Sequence, residues 1–376
     1  MDPVSFLVGL VERYSPSGSE QVVTAYARDQ LRQAGLDAYI DEAGNICAQI
    51  GTGDCALLFL GHIDTVEGDR GVAVVDGSVH GRGAVDAKGP FAACAAALVR
   101  LAAVPGRRVV LVGAVEEETL TSRGARYIVD RYRPDYAIVG EPSGWQGVTL
   151  GYKGRLAVRY HGVSVPEHGA AAGPSPLQRA VDYWNGLCAY RDAYNEGKSV
   201  FYQLDLSLQD IQQKATPERT EVELVGHARL PVGLDPADLK AHAEAIRDGA
   251  TIEHVDDALP ILSDKNNPLV RAFLRAIRRH GGRPAFKVKT GTSDMNIVGP
   301  VWGVPIIAYG PGDSSLDHTP YELLRIDEFE RSIDILVDVI AALSGRELTA
   351  PAGAATGPAG AATAPAGSDR VQAGEA

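Results

Sequence analysis

The sequence predicts an α/β fold: a mixed, mostly parallel sheet with helices on both faces, plus an inserted α+β domain. Three observations predict it. Short apolar runs bounded by Gly, Pro or Asp recur at 56–61, 108–115, 136–141 and 304–310, as expected of strands buried on both faces. An Ala- and Leu-rich stretch of helical length, "GPFAACAAALVRLAAV", separates the first two, which is the strand–helix–strand rhythm of α/β chains. From about 155 to 262 the pattern changes to apolar/polar alternation, as in half-exposed antiparallel strands.

In chain order, "MDPVSFLVGLVERYSPSGSE" has early acids and no basic start before a long apolar run, so it does not read as a signal peptide. "ALLFLG" is the first buried strand, and the Ala-rich helix follows a glycine-rich turn. "RVVLVGAV" and "YAIVGE" are the next strands. Within the insertion, "RLAVRYHGVSV", "SVFYQLDLSLQDIQQ" and "RTEVELVGHARLPV" alternate as strands, and 177–190 and 235–248 read as helices. The α/β pattern returns with a basic amphipathic helix, "NPLVRAFLRAIRRHGG", the strand "VPIIAYG" and a last helix, "IDEFERSIDILVDVIAALSG". The domain boundaries expected are therefore 1–154 with 263–348, an insertion at 155–262, and a tail at 349–376 whose Ala, Gly and Pro cannot build a core.

Composition narrows the function classes. No apolar run approaches the roughly 20 residues of a membrane span, and a cytoplasmic location is expected. A net charge of −12 argues against nucleic acid and anionic membrane as partners. Cys47, Cys55, Cys94 and Cys188 form no close pair, which excludes a thiolate zinc motif and argues against a disulfide framework. Basic residues nevertheless cluster between 119 and 159, at Arg123, Arg126, Arg131, Arg133, Lys153, Arg155 and Arg159.

The chemistry gathers where predicted strands end. "LFLGHIDTV" places His62 and Asp64 two apart after an apolar run, on one face if the strand continues. Asp86 in "GRGAVDAKGP", Glu116, Glu117 and Glu118 in "GAVEEETL", Glu141 in "VGEPSG" and His318 in "YGPGDSSLDHTPYE" also fall at strand ends or in glycine-rich loops. Singly, each has a structural explanation: a buried histidine is commonly a hydrogen-bonded core residue, an aspartate before a helix an N-cap, a glutamate run a solvated face. Their recurrence at the strand ends is what points to a site, because those ends open on one rim. Two histidines with several carboxylates and no thiolate suit a pair of divalent ions, zinc above all, with one carboxylate bridging. Asp64 is placed to orient the His62 ring, and a neighbouring carboxylate to take a proton from water and pass it to a leaving nitrogen.

In the order and spacing of these motifs the chain resembles the zinc aminoacylase and peptidase family M20, which includes acetylornithine deacetylase, succinyl-diaminopimelate desuccinylase and glutamate carboxypeptidase. The resemblance spans about residues 5–345. "VGAVEEE", "VGEPSGW" and "LGYKGR" are most similar to the branch that hydrolyses lysine or ornithine from a small acidic amino-group carrier protein of the LysW type, in lysine and arginine biosynthesis.

That resemblance implies two Zn2+ ions, with Co2+ able to substitute. His62, Asp86 and Glu141 would surround one, and Asp86, Glu118 and His318 the other. Glu116 aligns with an aspartate of the family, Glu117 with the general base and Glu118 with the ligand, with a shift of one residue left open. The insertion resembles the family's lid and dimerisation domain, whose assisting histidine matches His168, which implies a homodimer. "TGTSDMN" resembles a substrate-carboxylate loop, with Thr292 and Ser293 as hydroxyl donors, and Arg155 is carried as a further substrate contact. The alternative within the class is a deacylase of acetylornithine or succinyl-diaminopimelate. A non-catalytic zinc-stabilised binding protein would not need the glutamate run, and a Ser-His-Asp hydrolase finds no GxSxG.

Overall fold

The computed structural model describes residues 1–165 and 173–347. His168 and the tail at 349–376 lie outside them. The chain opens with two helices that the apolar-run pattern does not announce, α1 (Pro3–Val11) and α2 (Gln21–Gln33). Asp2 caps α1, its carboxylate accepting from the Ser5 N–H at 2.7 Å, and Pro3 occupies the first turn.

Next come β1 (Asp37–Ile40), β2 (Ile46–Ile50) and β3 (Thr52–His62), then the short strands β4 (Ala73–Val75) and β5 (Ser78–His80). Helix α3 (Lys88–Leu101) is apolar almost all round and correspondingly buried. It leads to β6 (Arg107–Ala114), α4 (Arg123–Ile128), β7 (Tyr136–Gly140) and β8 (Gly147–Tyr152). A second group holds β9 (Gly154–Ser164), α5 (Pro176–Asn195), β10 (Asp205–Ala215), β11 (Thr220–Leu230), α6 (Pro236–Ala245) and β12 (Thr251–Ala258). The chain then returns through β13 (Ile261–Leu262), α7 (Pro268–Arg279), β14 (Ala285–Lys289), α8 (Met295–Trp302), β15 (Ile306–Ala308), β16 (Leu323–Arg325) and α9 (Ile326–Ser344).

The main sheet has the order β1-β2-β6-β3-β7-β15-β8-β13, with β14 also paired to β8. Its centre, β6-β3-β7-β15, is parallel, and the flanking pairs β1–β2 and β2–β6 are antiparallel. Both faces are covered. Phe6, Phe91, Phe273 and Phe329 from α1, α3, α7 and α9 fill one side, and Ile128, Met295 and Trp302 from α4 and α8 pack on the other. This is the mixed α/β sheet with helices on both faces that the apolar runs predict.

The second sheet is antiparallel, in the order β10-β11-β9-β12, with Tyr183, Leu187 and Leu239 of α5 and α6 packing onto alternate residues such as Tyr160 and Leu224. One expectation fails here. Residues 199–203 read as the start of a strand, yet Val200–Tyr202 form a single 3₁₀ turn and β10 begins at Asp205. The Asn195 side chain decides this: its amide donates to the Leu204 carbonyl at 2.8 Å and its oxygen accepts from the Leu204 N–H at 2.7 Å, tying the turn to the end of α5. A small sheet, β16-β5-β4, joins chain regions some 240 residues apart beside the strand ends. Among the described residues no helix is long and apolar enough to cross a membrane. Cys47, Cys55 and Cys94 are buried free thiols, and burial pushes Cys47 up to about 12 and Cys55 to about 11.

Candidate active site

Four parallel strands end at one rim, and each delivers a functional group there. β3 finishes on His62, β6 runs into the glutamate triplet, β7 into Glu141, and β15 into the loop carrying His318. Asp86 stands before α3, with a cis peptide to Ala87. The Asp86 carboxylate lies between the two imidazoles, with Oδ1 3.1 Å from His62 Nε2 and Oδ2 3.1 Å from His318 Nε2. His318 Nε2 is also 3.0 Å from Glu118 Oε1. Donor atoms of His62, Glu117 and Glu118 gather in one group and those of Asp86, Glu118 and His318 in another, each within 4.8 Å. Glu141 belongs to neither group, but lines the same cavity of about 570 Å³ with Tyr152, Arg155, Arg229, Lys289, Thr292 and Asp317.

The electrostatics of this rim call for positive charge. Burial, reinforced by Asp86, pushes Glu141 up to about 8, and the same causes push Asp317 to about 8. Burial also raises Asp294 to about 7 and lifts Glu117 well above the carboxylate range, Glu117 with Glu141, Asp294 and Glu118 adding to it. His318 is raised to about 10 by its bonds to Asp86 and Glu118. Burial alone would lower His62, but the Asp64 and Asp86 carboxylates hold it well above its usual value. Carboxylates crowded in low dielectric repel one another and are relieved by a cation. The geometry agrees. Two donors sharing one tetrahedral ion at about 2.1 Å stand about 3.4 Å apart, close to the 3.0 and 3.1 Å separations around Asp86.

Asp64 holds more than a ring. It lies just beyond the end of β3, and the nearest oxygen to His62 Nδ1 is its backbone carbonyl at 3.0 Å, with Oδ1 at 3.5 Å. Its buried carboxylate accepts from the N–H groups of Glu117 and Glu118, each at 3.1 Å, and from Ser17 Oγ at 2.7 Å. Asp64 therefore shapes the glutamate loop as well as orienting the imidazole. Glu116 turns away, with φ 56°, and takes Arg123 Nε at 2.7 Å and Thr121 Oγ1 at 2.8 Å.

The fold separates the residues that the sequence groups together. Ser293 does not line the cavity: it is buried, and its Oγ accepts from the Met295 N–H at 3.2 Å, closing the turn into α8. Thr292 does line it, its Oγ1 accepting from Arg229 at 3.1 Å and Arg155 at 3.5 Å. The basic residues between 119 and 159 fall in several different environments. Lys153 is fully buried and donates to the Gln203 carbonyl at 2.7 Å and Asp205 at 2.6 Å. Arg131 and Arg133 bond to carbonyls of their own segment, and Arg159 faces Glu253 at 3.5 Å. Arg155 alone of the seven lines the cavity.

The profile of peptidase family M20/M25/M40 matches residues 58–342. The chain belongs to that family. As a member of M20 it is a metal-dependent hydrolase acting on amide bonds. It is 40% identical over 343 residues to a LysW-lysine hydrolase of Deinococcus radiodurans, covering 88% of this chain and 94% of that one. A Thermococcus kodakarensis protein described as a LysW-lysine/LysW-ornithine hydrolase is 40% identical over 345 residues, covering 92% and 93%. In fold it is similar to an M20 metallo-carboxypeptidase from Sulfolobus solfataricus, with a TM-score of 0.73 at 16% identity over 91% of this chain and 99% of that one. Arg229, Tyr152, Lys289 and Asp317 line the cavity as well; the sequence did not single them out, although Tyr152 and Asp317 fall within "LGYKGR" and "GPGDSSLDHTPYE". Arg229 could have been found from its strand, because it lies directly opposite Arg155 across β9 and β11. Like charges so placed repel unless something between them is negative.

Proposed function

We propose that this chain releases lysine or ornithine from a LysW-type carrier protein by metal-assisted amide hydrolysis. The observation that carries it is the Asp86 carboxylate held between His62 and His318 at the end of a parallel sheet, in a chain 40% identical to hydrolases so described. His62, Asp86 and Glu141 would hold one divalent ion and Asp86, Glu118 and His318 a second, zinc being the metal this nitrogen and oxygen set suits. Bound there, such a pair lowers the pKa of water and polarises a carbonyl oxygen.

The chain's own groups do the rest. Glu117, raised by burial, takes the proton of the attacking water and returns it to the leaving amine. Asp64 fixes Glu117 by holding its N–H. Arg155 and Arg229, converging on Thr292, hold the carboxylate of the amino acid released. His168 assists at the reacting carbonyl. Residues 155–262 act as lid and dimerisation domain of a cytoplasmic homodimer serving lysine and arginine biosynthesis.

The test is to incubate the purified protein with carrier-linked lysine, carrier-linked ornithine and acetylornithine side by side, before and after exhaustive chelation. Free lysine or ornithine should appear from the carrier, stop after chelation, and return with zinc or cobalt. Efficient acetylornithine turnover with none from the carrier would assign a small-molecule deacylase. Full activity in metal-free protein would overturn the mechanism.

A further inference from the structure

The edge of the main sheet nearest the cavity is open. β14 pairs with β8 on one side, and among the described residues no strand pairs with its other side. It exposes Phe286 at 47% and Val288 at 44%, with Lys287 also exposed between them. An edge that shows Phe and Val to water is a liability unless something covers it. The strand also leads somewhere: Val288 and Lys289 at its C-terminal end line the metal-site cavity, and the chain continues along that wall through Thr290, Gly291 and Thr292.

Basic side chains recur along this strand. Arg283 precedes the strand, and Lys287 and Lys289 lie on it, Lys289 with its Nζ 4.0 Å from Asp317 Oδ2. In a chain of net charge −12 this is a local reversal, and the partner it complements is acidic. Direction follows from the reaction. The amino acid leaves as the amine, so the carrier is the acyl side of the amide, and for a segment that carries this acyl group at its C-terminus it is the C-terminal end that has to reach the metals. A segment lying parallel to β14 brings that end to the cavity, whereas an antiparallel one presents its N-terminal end.

We propose that the open edge of β14 receives an extended acidic peptide as an added parallel strand and thereby feeds its C-terminal acyl group into the metal centre. The inference rests on the carrier reading above and goes beyond it by naming the docking element and its mode. Main-chain hydrogen bonds along β14 supply the register, and Phe286, Val288 and the lysines supply preference for sequence. Five residues at about 3.3 Å each give a guide rail of about 16 Å.

The probes are a seven-residue Asp/Glu-rich peptide whose C-terminal acyl group carries lysine, the same peptide with alternate backbone nitrogens methylated, a Ser/Gln counterpart, and acetyl-lysine. The acidic peptide should have the lowest KM. Methylation should raise it about tenfold, and the double variant Phe286→Ser/Lys287→Glu should do the same, while kcat and acetyl-lysine turnover stay unchanged. Amide hydrogen exchange at 285–289 should slow when the acidic peptide binds, and less so for the methylated one. Equal KM for the methylated and unmethylated peptides, or for the double variant and the parent, would overturn strand addition. If none of the lysine amides is cleaved, the carrier reading fails, and the exchange measurement still decides the docking: absence of protection at 285–289 overturns it.

Discussion

Three consecutive glutamates carry three different environments, and no property of glutamate itself separates them. Glu116 is turned out by its positive φ to bond Arg123 and Thr121, Glu117 is half-buried beside His62, and Glu118 reaches His318 at 3.0 Å. The backbone makes the difference, because Glu20 accepts from the Glu116 N–H at 3.2 Å and Asp64 from the next two. Glu117→Gln should therefore cut turnover by about 10²- to 10⁴-fold while metal content, read by elemental analysis, stays at the parent level. Glu118→Gln should lose metal as well as activity. The reverse pattern of metal contents would exchange their roles. The triplet was legible as a cluster of acids at a strand end, but which carboxylate points inward depends on contacts with residues 53 to 96 positions away.

At the scale of elements, the rim is held open by glycine. Gly61, Gly113 and Gly140 stand at or beside the C-terminal ends of β3, β6 and β7, and Gly61 lies opposite both of the others in the strand register. A Cβ on Gly113 would come 2.7 Å from Ile46 and 2.8 Å from the Phe91 ring of α3, and one on Gly140 would come 2.5 Å from the Phe59 ring. The absence of side chains is what lets Phe59 and Phe91 fill the core directly beneath the site. Gly140→Ala should cost about 1–3 kcal/mol by overpacking, seen as a lower denaturant midpoint. Phe59→Leu/Gly140→Ala should lose less than the sum of its single variants, because leucine vacates the contested space. An additive double variant would mean that the strain lies elsewhere. The central strands β3, β6, β7 and β15 were legible, since runs such as "ALLFLG" have no polar residue to expose, whereas β1, β2 and β8 of the same sheet were not singled out. Nor was β14 (Ala285–Lys289), which is short and shows nearly all its residues to solvent, so no apolar pattern marks it.

At the scale of the whole molecule, one buried ion pair joins the two loops that supply Asp86 and His318. Arg82 and Glu322 meet at 2.9 Å with side chains 4% and 2% exposed, 240 positions apart. Glu322 Oε1 also accepts from the Val85 and Asp86 N–H groups at 2.9 and 3.1 Å, and Arg82 donates to the His318 carbonyl at 3.3 Å. Glu322→Ala should cost about 3–5 kcal/mol, the usual result of leaving a buried charge without its partner. It should also reduce metal content, although Glu322 is not itself among the grouped ligand atoms. Unchanged metal content and midpoint would show that the loops hold their shape without the pair. Local pattern encodes the central parallel strands, the helix between them, and the polar groups placed where apolar runs stop. Which of those groups meet is settled by packing between segments far apart in the chain. The Asp86 carboxylate between two imidazoles, the arginines facing each other across β9 and β11, and the burial of Lys153 all depend on contacts between distant segments, and the side-chain directions that create them are set by packing that no local pattern carries.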